Sequence, residues 1–195
     1  MEEVKMRLII RSKCLTILVI IPIICSLLSC ELDTAYDLGF DFLNSFGSGK
    51  IIPDISDAGT PTGKMALVLT KWEIGGERRD AIITVATSQI TFDLPANREG
   101  HKLYFGVGAR FLIGDGVEGS ITVEQEGGGK HVVYKRYLNP IANENERRWF
   151  DESIDLYQYN GKAIKITFAA GPGPAGEGSA DWFAWSAPVL SFPRR

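Results

Sequence analysis

Histidine is nearly absent from this 195-residue chain, with two copies, His101 and His131, and cysteine occurs three times. That scarcity removes most zinc sites and most acid–base relays. Each histidine stands beside a lysine at the start of an expected strand, where a solvated side chain is the simpler reading. The Gly-x-Ser-x-Gly elbow, the His-Glu-x-x-His helix and the Gly-Lys-Ser/Thr phosphate loop are missing as well. So is a basic surplus: 21 Lys and Arg face 24 Asp and Glu, for a formal charge of −3. A nucleic-acid binder needs a cationic face to displace counterions from phosphates, so that class is excluded. Finally, the longest apolar run, Cys14 to Cys25, covers 12 residues, or 15 with Ser26-Leu27-Leu28 after it, where a spanning helix needs about 20. Pro22 interrupts it.

What is present at the start is a three-part export signal: a basic stretch ending at Lys13, the apolar run, and Ser26-Leu27-Leu28-Ser29-Cys30. Leu27-Leu28-Ser29-Cys30 resembles the bacterial lipobox, in which the cysteine thiol takes a diacylglycerol and the chain is cut before it. The resemblance implies a lipid on Cys30 and loss of residues 1–29. Cys14 and Cys25 would leave with that segment, so the mature chain keeps no disulfide and no free thiol. The first 29 residues hold four basic and two acidic residues, which leaves the remainder near −5. Attachment to an anionic membrane would then depend on the lipid alone. Glu31 stands where an Asp would resemble the inner-membrane retention signal of enteric bacteria, so the outer membrane or cell surface is favoured.

Residues 30–63 are rich in Asp, Ser, Gly and Pro and read as the lipidated N-terminus and a flexible tether, with room for one short turn or strand. Residues 64–195 read as one domain. Short runs of Val, Ile, Thr, Phe and Tyr alternate there with Gly, Pro, Asn and Asp, the pattern of an antiparallel β-sandwich. Strands are expected over Met65–Trp72, Asp80–Val85, Ser88–Leu94, His101–Ile113, Gly119–Gln125, Lys130–Tyr137, Arg148–Asp155, Lys162–Ala169 and Phe183–Phe192. Alternation is clearest in Ser120–Gln125 and Lys162–Phe168, which predicts half-buried strands. Leu103–Phe111 is evenly apolar with Gly106 and Gly108, which predicts a strand inside a sheet.

Several segments in order resemble the galactose-binding-like superfamily of jelly-roll modules: Glu77–Ile82, Gln89–Pro95, Leu103–Gly108, Arg147–Asp151, Ile154–Leu156 with Tyr159–Lys162, and Asp181–Pro188. The resemblance implies an all-β jelly roll, preceded here by the signal helix and the tether. Relatives commonly bind carbohydrate through loops at one end of the sandwich, often with a structural calcium. No ligand motif transfers residue by residue, so the carbohydrate expectation is fold-level analogy.

The candidate ligand residues are Trp182, Trp185 and Trp149, whose indole faces could stack on a sugar ring, with Arg79 and Asp181. Core packing competes for the tryptophans: in Asp181–Trp185, Trp182 shares a face with Ala184 and Trp185 with Phe183, so at least one indole is expected inside. Arg78 or Arg79 could instead pair with Asp181 and pin the first strand to the last, or hold an anion. Glu124 with Glu126, or Asp151 with Glu152 and Asp155, could act as glycosidase acids, but a hairpin rim is a poor place to raise a carboxyl pKa. No catalytic residue and no metal ligand is therefore assigned. The expected function is a non-catalytic, membrane-anchored lipoprotein that binds a glycan or another envelope component. The alternatives are a structural or adhesion lipoprotein that binds protein partners and, least favoured, a small hydrolase.

Overall fold

The computed structural model describes residues 36–52, 67–96, 102–109, 115–174, 176 and 181–193. The export signal, Cys30, most of the expected tether and His101 lie outside them. Among the described residues eleven strands build two antiparallel sheets. In chain order they are β1 (Tyr36–Asp41), β2 (Lys50–Ile52), β3 (Leu67–Ile74), β4 (Glu77–Val85), β5 (Gln89–Leu94) and β6 (Lys102–Ala109). They continue with β7 (Val117–Gln125), β8 (Lys130–Leu138), β9 (Phe150–Asp155), β10 (Ile164–Pro172) and β11 (Trp182–Pro193). One sheet runs β3-β4-β11-β6-β9, with β1 also on β11, and the other runs β2-β5-β10-β7-β8. The fold is the expected all-β sandwich, and nine of its strands overlap the nine read from the sequence.

The period-2 pattern decides which side chains go inward. In β7 and β10, Ile121, Val123, Ile164, Ile166 and Phe168 are buried while Glu124 and Lys165 are exposed. Between the sheets the aromatic rings pack edge to face: Phe42 meets Phe92 at 5.0 Å and Phe168 at 5.1 Å, and Phe168 meets Trp185 at 5.4 Å. Such pairs add about 0.5–1.5 kcal/mol each beyond area burial.

The segment expected as tether is a correction. Its residues from Tyr36 to Ile52 contribute a strand to each sheet, β1 on β11 and β2 on β5. Between them Phe42 is fully buried in the core, with Phe40, Leu43, Phe46 and Ile51 packed against it. Asp41 organises the turn, its carboxylate accepting from the backbone N–H groups of Leu43 and Asn44 at 2.9 and 3.0 Å. Composition alone hid this, because the polar turn residues outnumber the apolar anchors.

Two local features shape the larger sheet. Gly75 and Gly76 take φ of +61° and +82°, which makes the β3–β4 connection a two-residue turn of the kind that matches strand twist. This is why β4 begins at Glu77 and not at Asp80. In β11, Ala187 takes φ of +42° and the register to β6 slips between Ser186 and Val189. Pro188 cannot donate to a ladder, and the bulge accommodates it while its carbonyl accepts from Phe42 N–H at 3.1 Å.

Candidate functional site

A sandwich ordinarily turns a polar face outward from each sheet. The five-stranded sheet follows that rule. Its outward rows hold Thr91 and Thr167, hydroxyl to hydroxyl at 2.8 Å, and then exposed Asp93, Lys165 and Glu124. The six-stranded sheet breaks it. Its outward side carries a second apolar cluster of Ile74, Ala81, Ile83, Trp149 and Ala184, with half-buried Trp72 and Trp182 packed against it.

The β3–β4 hairpin builds this cluster by folding over the sheet. In strand order β11 and β6 separate β4 from β9. Yet Glu77 C=O at the start of β4 accepts the indole N–H of Trp149, just before β9, at 3.0 Å. At the hairpin tip a side chain on Gly75 would strike the carbonyl oxygen of Arg147 at 2.4 Å. The tip therefore crosses β11 and β6. Two glycines in β6 make room beneath it: a Cβ on Gly106 would sit 2.8 Å from the Arg79 guanidinium, and one on Gly108 2.5 Å from Ile74. That is the structural reason for the glycines in the evenly apolar β6, which is indeed an interior strand, between β11 and β9.

Arg79 clamps the hairpin to the far strand. Its guanidinium donates to Glu77 at 2.7 Å and makes a bidentate ion pair with Asp151 on β9. It also lies over the Trp149 ring, 5.4 Å from the centroid. The Arg79 hydrogen bonds hold the Asp151 carboxyl below its ordinary value, against a smaller opposing effect of burial. The same bonds push the Arg79 pKa upward. Asp151 keeps most of its side chain in water, so the pair is a screened positioning contact more than a source of stability.

Trp182 stacks on Trp72 with centroids 5.4 Å apart and planes 23° from parallel, and both indoles are half-buried. Trp149 is nearly enclosed, with its N–H committed to Glu77. Trp185 has no exposed surface and lies in the core, where its N–H donates to the Thr84 hydroxyl at 3.0 Å. So the three candidate tryptophans do not form one platform. Trp182 and Trp149 share the outer face, and Trp185 is the indole that packs inside. The unforeseen member is Trp72, whose position opposite Arg79 across β3 and β4 depends on register.

Arg79 does not bridge to Asp181. The register Trp182↔Val85 puts Asp181 beyond the far end of β4, level with Ala86, seven positions from Arg79 and about 23 Å along the strand. Asp181 is buried, its backbone carbonyl accepting from Ala86 N–H at 2.9 Å. Arg78 is exposed. The carboxylates considered as acids diverge: Asp151 faces Arg79, Glu152 pairs with Arg136, and Asp155 accepts from the Tyr157 N–H. Glu124, Glu126 and His131 are all exposed. Among the described residues no group of three or more His, Cys, Asp or Glu is placed to hold a metal.

No family model matches the chain. A stretch of 79 residues is 36% identical to an uncharacterized protein of Archaeoglobus fulgidus, covering 40% of this chain and 20% of that protein. The chain thus spans about a fifth of that relative's length. Among solved structures it is similar to the carbohydrate-binding module TmCBM61 in complex with β-1,4-galactotriose, at 15% identity and a TM-score of 0.50, over 77% of this chain and 92% of that one. It is also similar to the family 51 module of a Clostridium perfringens enzyme in complex with methyl-galactose, at 16% identity and a TM-score of 0.44, over 80% and 92%. The class the fold defines is a jelly-roll β-sandwich of the kind found in carbohydrate-binding modules.

Proposed function

We propose that the chain is a non-catalytic glycan-binding lipoprotein, which holds a saccharide on the outer face of its six-stranded sheet and is tied to the outer membrane or cell surface by a lipid on Cys30. The observation that carries the glycan reading is the aromatic outer face: three of the four tryptophans lie on the side of a sheet that is normally polar. Half-buried indoles give a sugar the flat apolar surface that its C–H edge needs, and Arg79 with Asp151 supplies charged hydrogen-bonding groups alongside. The likeness in fold to a module solved with galactotriose supports the same reading.

The test is a glycan array probed with the full chain in detergent, with and without calcium, read beside tryptophan fluorescence. Saturable binding that quenches fluorescence and is lost in Trp182→Ala or Trp72→Ala is the expected result. Silence from a folded protein rejects a glycan and points to protein partners in the envelope. The anchor is tested separately: labelled palmitate should enter the wild-type chain and not Cys30→Ser.

A further inference from the structure

Strand direction and chain length together decide which part of the domain meets a bilayer. Five residues separate Cys30 from Tyr36, the first residue of β1. Six steps of at most about 3.6 Å then keep a lipid on Cys30 within about 22 Å of that strand. β1 starts at one end of the sandwich. Tyr36 pairs with Pro193 at the close of β11, and Ser191 pairs with Lys102, which pairs in turn with Asp155 at the close of β9. From Asp155 the chain passes through Tyr157–Tyr159 into β10, where Ile164 lies level with Leu94 and Gln125. The two sheets therefore end together here. Trp182 opens β11 eleven positions before Pro193, about 36 Å away along the strand, which is farther than the anchor can span.

Two features mark this end. Tyr157 and Val132, 65% and 63% exposed, are the most exposed large apolar side chains among the described residues. Both belong to it: Tyr157 follows β9 directly, and Val132 shares a cleft with Gln158 and Tyr159. Its strand-end charges also cancel, since Lys102 stands opposite Asp155, Lys130 opposite Glu124 and Lys165 opposite Asp93. The chain after residue 29 is near −5, so the acidic surplus falls outside these three pairs. An excess of acid is repelled by a bilayer surface, whereas matched pairs meet the phosphate and ammonium of zwitterionic headgroups on equal terms. Tyrosine settles at headgroup depth, with its ring in the apolar boundary and its hydroxyl in water.

We infer that this end, led by Tyr157 and Val132, rests on the headgroup layer of the bilayer that holds the Cys30 lipid, and that the tryptophan face looks away from it. The inference rests on the lipid anchor of the proposed function and is independent of the glycan. It also gives the short connection before β1 a purpose, because a long tether would leave the domain free to tumble.

The experiment uses the full chain, purified after acylation and reconstituted in vesicles of phosphatidylethanolamine and phosphatidylglycerol, with and without a nitroxide-bearing headgroup. The chain after Cys30 holds no cysteine. Gln158→Cys beside Tyr157, and Glu144→Cys between β8 and β9 at the other end, are both on exposed positions and each takes one fluorophore. Vesicle flotation reports the anchor, and quenching by the headgroup nitroxide reports orientation. The Gln158→Cys label should be quenched several times more than the Glu144→Cys label. Tyr157→Glu/Val132→Glu should narrow that ratio in a chain that still floats and keeps its circular dichroism spectrum. Equal or reversed quenching in a floating chain, or a ratio that the double variant leaves unchanged, overturns the inference while the lipid anchor stands. A wild-type chain that does not float removes the anchor, and the inference falls with it.

Discussion

Replacing Trp185 or Trp182 by alanine separates folding from binding, because the two indoles sit three positions apart on opposite sides of one strand. Trp185 is wholly buried against Phe105, Phe168 and Phe183 at centroid distances of 4.6–6.1 Å. Truncating a buried aromatic to alanine costs about 3–5 kcal/mol, from lost transfer energy and a cavity that neighbouring strands cannot close. The Thr84 hydroxyl still donates to Phe183 C=O at 3.1 Å but loses the indole donor, which adds about 1 kcal/mol. For a domain of this size the midpoint should fall on the order of 10 °C or more. Trp182 is half-buried and its stack on Trp72 is worth about 0.5–1.5 kcal/mol.

Urea unfolding followed by far-ultraviolet circular dichroism gives both numbers without relying on the removed chromophore. Trp185→Phe is the internal control, since it keeps an aromatic ring and should recover most of the loss. The expected pattern is large destabilisation for Trp185→Ala, little for Trp182→Ala, and a binding defect in the folded protein only for Trp182→Ala. A stable Trp185→Ala protein that has lost ligand binding would refute the assignment of that indole to the core.

Phe42→Ala should destabilise the domain by about 3–5 kcal/mol in the same urea assay, because a residue that reads as linker fills the centre of an aromatic cluster; an unchanged midpoint would show that β1 and its turn are dispensable. Gly119→Ala places a methyl 2.3 Å from the Phe183 ring, and overpacking of that kind costs about 1–3 kcal/mol, measurable as a lower melting temperature. Arg79→Met should return the Asp151 carboxyl upward toward its ordinary value in a carbon-detected titration. In the wild type the depressed pKa adds stability above the unfolded carboxylate range that fades as pH falls through the folded value, by no more than about 1 kcal/mol at this exposure. The Tyr134 phenol, pushed up to about 12 by burial and then by the Glu152 charge, should resist ionisation in an ultraviolet titration. Its contribution is full below pH 10 and is lost between 10 and about 12 as the unfolded chain deprotonates first.

Strand existence was legible because it rests on alternation, which is local. Ile121 and Val123, or Ile164, Ile166 and Phe168, need only one covered face to declare themselves. Two things were not legible. One is which face of an aromatic strand turns inward: alternation shows that Trp182 and Trp185 differ, but only the opposing sheet decides that Trp185 is covered. The other is any contact that depends on register between distant strands. Arg79 finds Asp151, 72 residues on, because the hairpin folds over β11 and β6, and nothing near Arg79 in the sequence says so. The bulge hides a third feature. Inward positions on β11 are odd at Phe183 and Trp185 but even at Leu190, so simple alternation through Ala187 and Pro188 misplaces the last part of the strand.

The same strands therefore serve two purposes by parity. On β4 and β11 the inward set, Ile82, Thr84, Phe183 and Trp185, holds the sheets together, and the outward set, Ala81, Ile83, Ala184 and Trp182, lays the floor of the tryptophan face. A one-residue slip between these strands would exchange the sets and lose both. The two-glycine turn at Gly75–Gly76 sets β3 on β4, and the bulge at Ala187 follows directly on the β4–β11 pairing, so substitutions there should impair folding and ligand binding together, whereas outward substitutions such as Trp182→Ala should impair binding alone. Joint loss in one class and separate loss in the other is the signature expected of a ligand face built on the back of a core.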